Sequence, residues 1–150
     1  MRKAILVLAI LGFAGSLLGL DPFIGTWKMM PEKSTFTSGR PPKFETVVIR
    51  QEGYHYRVMI KGAEFDGSPI SIEYTVLIKG GDGEVIDGPY DTVSSKRVNA
   101  STRVTRFKHG KRSRTVRAVT TKDGKTLTAT IRGTEAQGQP VKGVLIFEKQ

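Results

Sequence analysis

Turn-forming residues interrupt this sequence roughly every ten residues, which leaves only short segments for regular structure. These signals are built from Gly, Pro, Asn, Asp and Ser, and they lie at 52–53, 65–69, 80–83, 87–89, 99–101, 109–110, 123–124 and 138–140. The segments between them are rich in Val, Ile, Thr and Tyr, which favour strands, and none carries a long helical periodicity. The spacing therefore predicts an all-β fold.

Several of these segments alternate between apolar and polar residues, as strands with one buried face do. The alternation is clearest in residues 54–61 and in residues 70–78. The predicted strands are 25–30, 46–51, 54–61, 70–78, 92–98, 103–108, 113–121, 126–132 and 143–149.

The links between the predicted strands are short, so consecutive strands are expected to pair as antiparallel neighbours. This pattern predicts an up-and-down meander of about eight to ten strands, and a twisted sheet of that length tends to close into a barrel. A two-sheet sandwich is the alternative. The chain contains no cysteine, so its stability must come from burial and backbone pairing without disulfides.

The first twenty residues have the pattern of an export signal. Arg2 and Lys3 precede an uncharged apolar run, and small residues follow at 14–16, where a signal peptidase would cut. We expect residues 1–20 to form a signal helix and residues 21–150 to form the barrel domain; an uncleaved membrane anchor is the alternative. Because no cysteine follows the leader, a lipid anchor is excluded, and the expected location is the periplasm or the exterior.

The predicted strands differ in the character of their two faces, which bears on whether the barrel has a lumen. One face of residues 113–121 and 126–132 is small and apolar, and the other is rich in hydroxyl groups. Small inward residues would leave room for a ligand, whereas Thr is also common on solvated strand faces. The candidates for lumen contact are Tyr56, Val58, Ile72, Tyr74 and Arg117.

The segment Gly25-Thr26-Trp27 contains the only tryptophan of the chain and opens the first predicted strand. It resembles the G-x-W signature of the lipocalin-like, or calycin, family. The resemblance implies that Gly25 allows a tight turn into strand one and that Trp27 plugs the closed end of a barrel, beneath a basic side chain.

The likeness extends to a group of small exported bacterial proteins of uncharacterised function, whose sequences open with a pattern similar to G-T-W-K-x-N-x-x-K-S. The matching residues are Gly25, Thr26, Trp27, Lys28, Lys33 and Ser34, whereas Met30 replaces the usual Asn. Further similar segments lie at 91–94, 96–97, 122–126, 133–134 and 137–139.

Two features distinguish the chain from better-known members of the family. Animal lipocalins continue from the last strand into a long helix, whereas this sequence stops at Gln150, soon after Phe147. Intracellular fatty-acid-binding relatives place two helices between strands one and two, but residues 31–44 here contain three prolines and a glycine. We therefore expect an extended flap in place of a helical lid.

The whole chain has a net charge of +10, and its basic residues are concentrated in one segment. Residues 92–122 contain no Asp or Glu, and the residues expected to form a basic face are Lys96, Arg97, Arg103, Arg106, Arg112 and Arg114. Such a face attracts anions such as lipid headgroups, envelope polymers or a carboxylate ligand; a face that only maintains solubility is the alternative. Nucleic acid is disfavoured because Phe107 is the only aromatic residue of the stretch.

No catalytic or metal-binding motif is present in the sequence. His55 and His109 lack metal-ligand spacing, no serine-nucleophile motif occurs, and the acidic residues of the loop 82–87 are too sparse for a dedicated calcium site. The sequence thus predicts a non-enzymatic protein without a cofactor, acting as a monomer or within an oligomer. Its expected role is reversible binding of a small apolar or amphiphilic, anionic molecule in the lumen. The alternative is an envelope-associated module that binds polyanions or anionic lipid.

Overall fold

The computed structural model describes residues 20–150, and in this part every regular element is a β-strand except for one 3₁₀ turn, Pro31–Lys33. The first strands are β1 (Gly25–Met29), β2 (Thr35–Ser38), β3 (Phe44–Glu52), β4 (His55–Ala63), β5 (Pro69–Leu77) and β6 (Gly80–Asp82). The remaining strands are β7 (Glu84–Asp87), β8 (Thr92–Asn99), β9 (Thr102–His109), β10 (Arg112–Thr120), β11 (Thr126–Thr134) and β12 (Pro140–Lys149). None of the helical structure in residues 20–150 is long and apolar enough to cross a membrane.

All twelve strands belong to one antiparallel sheet, in which β3 to β5 and β8 to β12 pair with their neighbours in sequence, whereas β1, β2, β6 and β7 pair with strands that are not adjacent in sequence. The order is β6-β8-β9-β10-β11-β12-β1-β3-β4-β5-β7, with β2 attached to β12. The first and last strands meet in the middle of this order, where Trp27 lies opposite Lys149. The result is a nearly closed, calycin-like barrel.

The barrel closes on its other side through the segment that contains β6 and β7. β6 pairs with β8, the Gly83 amide donates a hydrogen bond to the Val93 carbonyl at 2.8 Å, and β7 then pairs with β5. A Cβ atom at Gly83 would lie 2.2 Å from the Thr75 carbonyl oxygen. Only glycine therefore fits at the point where this segment changes partner.

The predicted antiparallel meander is confirmed, and the sheet is continuous rather than split into a sandwich. The predicted count of about eight to ten strands was too low, because β2, β6 and β7 are also strands. These three are short and lie in glycine- and proline-rich sequence, which resembles turns when read alone. The flap predicted for residues 31–44 contains the 3₁₀ turn and β2 instead of helices. The predicted signal helix lies outside the described residues.

One end of the barrel is sealed by Trp27, whose side chain is 0% exposed. The indole Nε1 donates a hydrogen bond to the Phe23 carbonyl at 2.9 Å, and the Lys149 ammonium lies 4.8 Å from the ring centroid. Lys149 Nζ also donates to the Pro22 carbonyl at 3.1 Å. Gly25 has a φ of +144°, a conformation that favours glycine and directs the chain into β1. The plug beneath a basic side chain, implied by the family resemblance, is thus present.

Replacement of this plug should destabilise the barrel strongly. Trp27→Ala removes a fully buried ring and leaves a cavity, so the free energy of unfolding should fall by about 3–5 kcal/mol. The measurement is urea denaturation followed by circular dichroism, because the mutant has no tryptophan fluorescence. The control is Tyr54→Ala, whose side chain is 85% exposed; it should change stability by less than about 0.5 kcal/mol. Equal midpoints for Trp27→Ala and the wild type would show that the indole does not seal the fold.

Candidate functional site

The barrel encloses a cavity of about 130 Å³. Its walls are mostly apolar and come from both halves of the sheet, including Val58, Ile72, Val116, Ala129 and Leu145. The volume is close to that of a cavity of about 150 Å³ that accepts benzene, and it is smaller than drug-sized pockets. The lumen can therefore hold a compact apolar group without rearrangement.

Four of the five side chains predicted to face the lumen line this cavity: Tyr56, Val58, Ile72 and Tyr74. The placement of Arg117 was wrong, because it is exposed on the outer face of β10. Its neighbours Val116 and Ala118 line the cavity. Since side chains alternate along a strand, Arg117 must point away from it.

The predicted basic face is divided between the two sides of the sheet. Lys96, Arg97 and Arg106 are exposed, whereas Arg103 and Arg114 line the cavity. Arg112 shares the inward side of β10 with Arg114 by strand alternation. The correction has a simple cause: side chains alternate along a strand, so basic residues an odd number of positions apart, such as Arg103 and Arg106, face opposite ways. On β9, Arg103 faces the same side of the sheet as Thr105 and Phe107, and all three line the cavity.

Arg103 is the most unusual residue of the cavity, because its charged side chain is only 5% exposed. Its guanidinium donates to the carbonyls of Ile78 at 2.6 Å and Leu77 at 3.0 Å, and to Ser95 Oγ at 3.0 Å. In residues 20–150 no carboxylate lies within ion-pair distance of it. Burial lowers the pKa of Arg103, but an arginine remains charged in proteins. The closed end of the lumen therefore holds a cation that dipoles solvate, and the Asp21 carboxylate acts on it only from beyond ion-pair distance.

The face of an aromatic ring packs against this cation. The Arg103 guanidinium carbon lies 4.9 Å from the centroid of the Tyr56 ring, within the range of a cation–π interaction. The Tyr56 hydroxyl donates a short hydrogen bond to Asp21, and burial together with this contact raises the pKa of Tyr56. Tyr56 thus stays neutral and fixes the position of the guanidinium.

The opposite end of the cavity carries charges that water can reach. Glu45 and Arg114 line it, and the Arg114 side chain is 29% exposed and lies 3.6 Å from Glu135. Burial raises the pKa of Glu45 to about 7, with the Arg114 charge opposing this rise and Glu64 adding to it. We call this end the mouth, in contrast to the end sealed by Trp27. Residue type alone gives no signal for Glu45, because it lies directly after residues 31–44, which the sequence predicts to form an extended flap.

The remaining candidates for chemistry do not come together. His109 and Asp91 form an exposed pair at 2.7 Å, and His55 is exposed on β4. The acidic residues Asp82, Glu84 and Asp87 are also exposed. In the part of the chain that the structure describes, no group of three or more His, Asp or Glu side chains could hold a metal ion.

Comparison with known proteins supports the fold assignment alone. No protein-family model matches the sequence, and no curated protein matches it. Among solved structures, a Schistosoma mansoni fatty acid binding protein in complex with arachidonic acid has a TM-score of 0.53 at 13% identity, over 86% of this chain and 96% of that one. A zebrafish ileal bile acid-binding protein complexed with cholic acid has a TM-score of 0.51 at 15% identity, over 86% and 99%. The chain therefore has the fold of these barrels.

Proposed function

We propose that this protein reversibly binds a small apolar or amphiphilic anionic molecule in the lumen of the barrel. The observation that carries the proposal is the buried, positively charged Arg103 at the closed end of an apolar cavity. An anionic ligand group at this position would pair directly with the guanidinium, which Asp21 influences only from beyond ion-pair distance. The two similar barrels hold a fatty acid and a bile acid, which are both apolar molecules with a carboxylate, and this supports the same ligand class here.

The dimensions of the cavity limit the ligand. A cavity of about 130 Å³ accommodates a compact apolar body, and a longer chain would extend towards the mouth. The rim there is partly apolar, because Phe44 and Phe65 are exposed and Arg40 stacks 4.7 Å from the Phe65 ring centroid. An amphiphile entering head first would therefore pass an apolar rim before its charged group reached Arg103.

We also propose that the protein works outside the cytoplasm, as a non-enzymatic carrier. The leader pattern of residues 1–20 supports export. The arrangement of polar groups in the lumen supports binding rather than catalysis, since Arg103 is held by two carbonyl groups and the Ser95 hydroxyl, and the side-chain hydrogen bonds of that hydroxyl go to Arg103 and Thr105 rather than to a base. Mass measurement of the protein purified from its native host tests export, because removal of the leader lowers the mass by that of the segment.

Arg103 should distinguish anionic ligands from neutral ones of the same shape. Arg103→Met removes the charge but keeps an unbranched apolar side chain, so the affinity for octanoate should fall about tenfold to a hundredfold, the range for a hydrogen bond to a charged group. The affinity for octanol should remain nearly unchanged, because the apolar lumen is retained. Isothermal titration calorimetry with both ligands measures the two affinities.

The matched control for this experiment is Arg106→Met, which removes a cation from the exposed face of the same strand. Octanoate affinity should not change in this variant. Octanol binding by Arg103→Met shows that the barrel has folded. Loss of octanoate affinity to the same degree in both variants, or equal losses for octanoate and octanol, would contradict the role of Arg103.

Glu45 should make ligand affinity depend on pH. Because the pKa of Glu45 is about 7, its carboxyl is largely neutral at pH 6 and largely charged at pH 8. Above this pKa it repels an anion in the lumen, so octanoate affinity should fall several-fold, up to about tenfold, between about pH 6 and about pH 8. Titration of the protein with octanoate at a series of pH values measures the effect.

Glu45→Gln should remove this dependence, because the amide stays neutral throughout. Glu52→Gln, an exposed carboxylate at the other end of β3, should retain it. The affinity for octanol should be independent of pH in all three proteins. A pH profile that is the same in Glu45→Gln and the wild type would assign the effect to another group.

A further inference from the structure

The outer surface of β8 to β12 carries a set of exposed cations that the lumen does not use. We call it the outer basic face, and its members are Lys96, Arg106, Lys108, Arg117, Arg132 and Lys142. They alternate along their strands with residues of the barrel interior, so all six point away from the cavity. Any ligand of this face would therefore be separate from a ligand of the lumen.

The strand register arranges several of these residues in a row around the barrel. Ser94, Arg106, Thr115, Arg132 and Lys142 are successive cross-strand partners from β8 to β12. The backbones of adjacent strands are about 4.8 Å apart. The backbone positions of Arg106 and Arg132 are therefore about 10 Å apart, and those of Arg132 and Lys142 about 5 Å apart.

A second row lies parallel to the first. Lys96, Val104, Arg117, Thr130 and Val144 are also successive partners. Two residues along a strand separate the rows, which corresponds to about 7 Å. The two rows together place a cation on each strand from β8 to β12, with hydroxyl groups between several of them.

These cations have no ionic partners in the described part of the chain. None of the six takes part in an ion pair, and residues 92–122 contain no acidic side chain. Three acidic residues next to the outer basic face already form ion pairs with other residues: Asp91 with His109, Glu135 with Arg114, and Glu148 with Lys33. The outer basic face is therefore an uncompensated positive surface, which concentrates anions near it.

The shape and composition of the face select among anionic partners. It is the convex wall of a barrel, so a flat bilayer would touch it along a narrow strip, whereas a flexible chain can follow a row around it. Between the cations lie Ser, Thr and Val, and its strands present no outward aromatic ring that could enter a bilayer or stack on a base. Hydroxyl groups beside cations instead match a chain that carries both anionic groups and hydroxyl groups.

We propose that the outer basic face binds a linear acidic polysaccharide, whose sulfate, phosphate or carboxylate groups contact the row formed by Arg106, Arg132 and Lys142. The hydroxyl groups of Ser94 and Thr115 lie in the same row and can bind the sugar hydroxyls. The interaction is electrostatic, so its affinity decreases steeply with salt. Because the face and the lumen are on opposite sides of the sheet, the two sites bind independently.

The test uses a fluorescently labelled heparin octasaccharide as the polysaccharide probe, with binding followed by anisotropy between about 50 and 200 mM NaCl. The triple variant Arg106→Gln/Arg132→Gln/Lys142→Gln should bind about tenfold more weakly than the wild type or worse, and the slope of log affinity against log salt should decrease in magnitude by about 2. The matched control is Lys28→Gln/Arg50→Gln/Lys61→Gln, which removes the same charge from exposed positions on β1, β3 and β4. This control should weaken binding less than threefold, with its slope nearly unchanged.

Three outcomes would overturn the proposal. Equal weakening in the two triple variants would mean that net charge alone attracts the probe. Tighter binding of the wild type to phosphatidylglycerol vesicles or to an oligothymidylate of matched charge would assign the face to a membrane or to nucleic acid. Absence of heparin binding at about 50 mM NaCl would show that the outer basic face is not a polysaccharide-binding site. Unchanged circular dichroism and octanol binding in the variants keep each result interpretable.

Discussion

The pairing of β1 with β12 is the interaction on which the rest of this structure depends. It joins strands that are more than a hundred residues apart in the chain and sets Trp27 opposite Lys149. The same register places the indole inside the barrel and the lysine ammonium over the ring at 4.8 Å. A shift of one residue would turn every side chain of these strands to the other face. The end of the barrel that Trp27 seals therefore follows from this pairing.

The register also decides what each basic residue can do. On β9, Arg103 faces the lumen and Arg106 faces outwards, although only two residues separate them. On β10, Arg114 lies at the mouth, whereas Arg117 is exposed on the outer wall. One basic stretch of sequence thus supplies both a cation inside the barrel and an array of cations on its outer wall. The sheet separates the two populations of charge completely.

Much of the fold could be predicted from the sequence, because strand alternation and turn residues are local signals. Tyr56, Val58, Ile72 and Tyr74 were placed correctly for this reason, and so was Trp27, through its motif. The strands β6 and β7 were missed because their pairing depends on Gly83 approaching the Thr75 carbonyl, a tertiary contact that no local pattern reveals. Arg117 lies outside the lumen because side chains alternate along β10 and its neighbours Val116 and Ala118 face inwards. Arg103 could have been found by applying that alternation to β9.

The environment of Arg103 is explained better by binding than by stability. A buried cation without a carboxylate partner loses hydration that carbonyl groups replace only in part, and an apolar residue of similar volume usually gives equal or greater stability. The barrel has no disulfide to offset such a cost, and it depends instead on the dense packing around Trp27 at the same end. Tyr56 and Asp21 hold the guanidinium beside an apolar cavity rather than neutralising it directly. An arrangement that keeps a charge available inside an apolar space at some cost to stability is the arrangement that an anionic ligand requires.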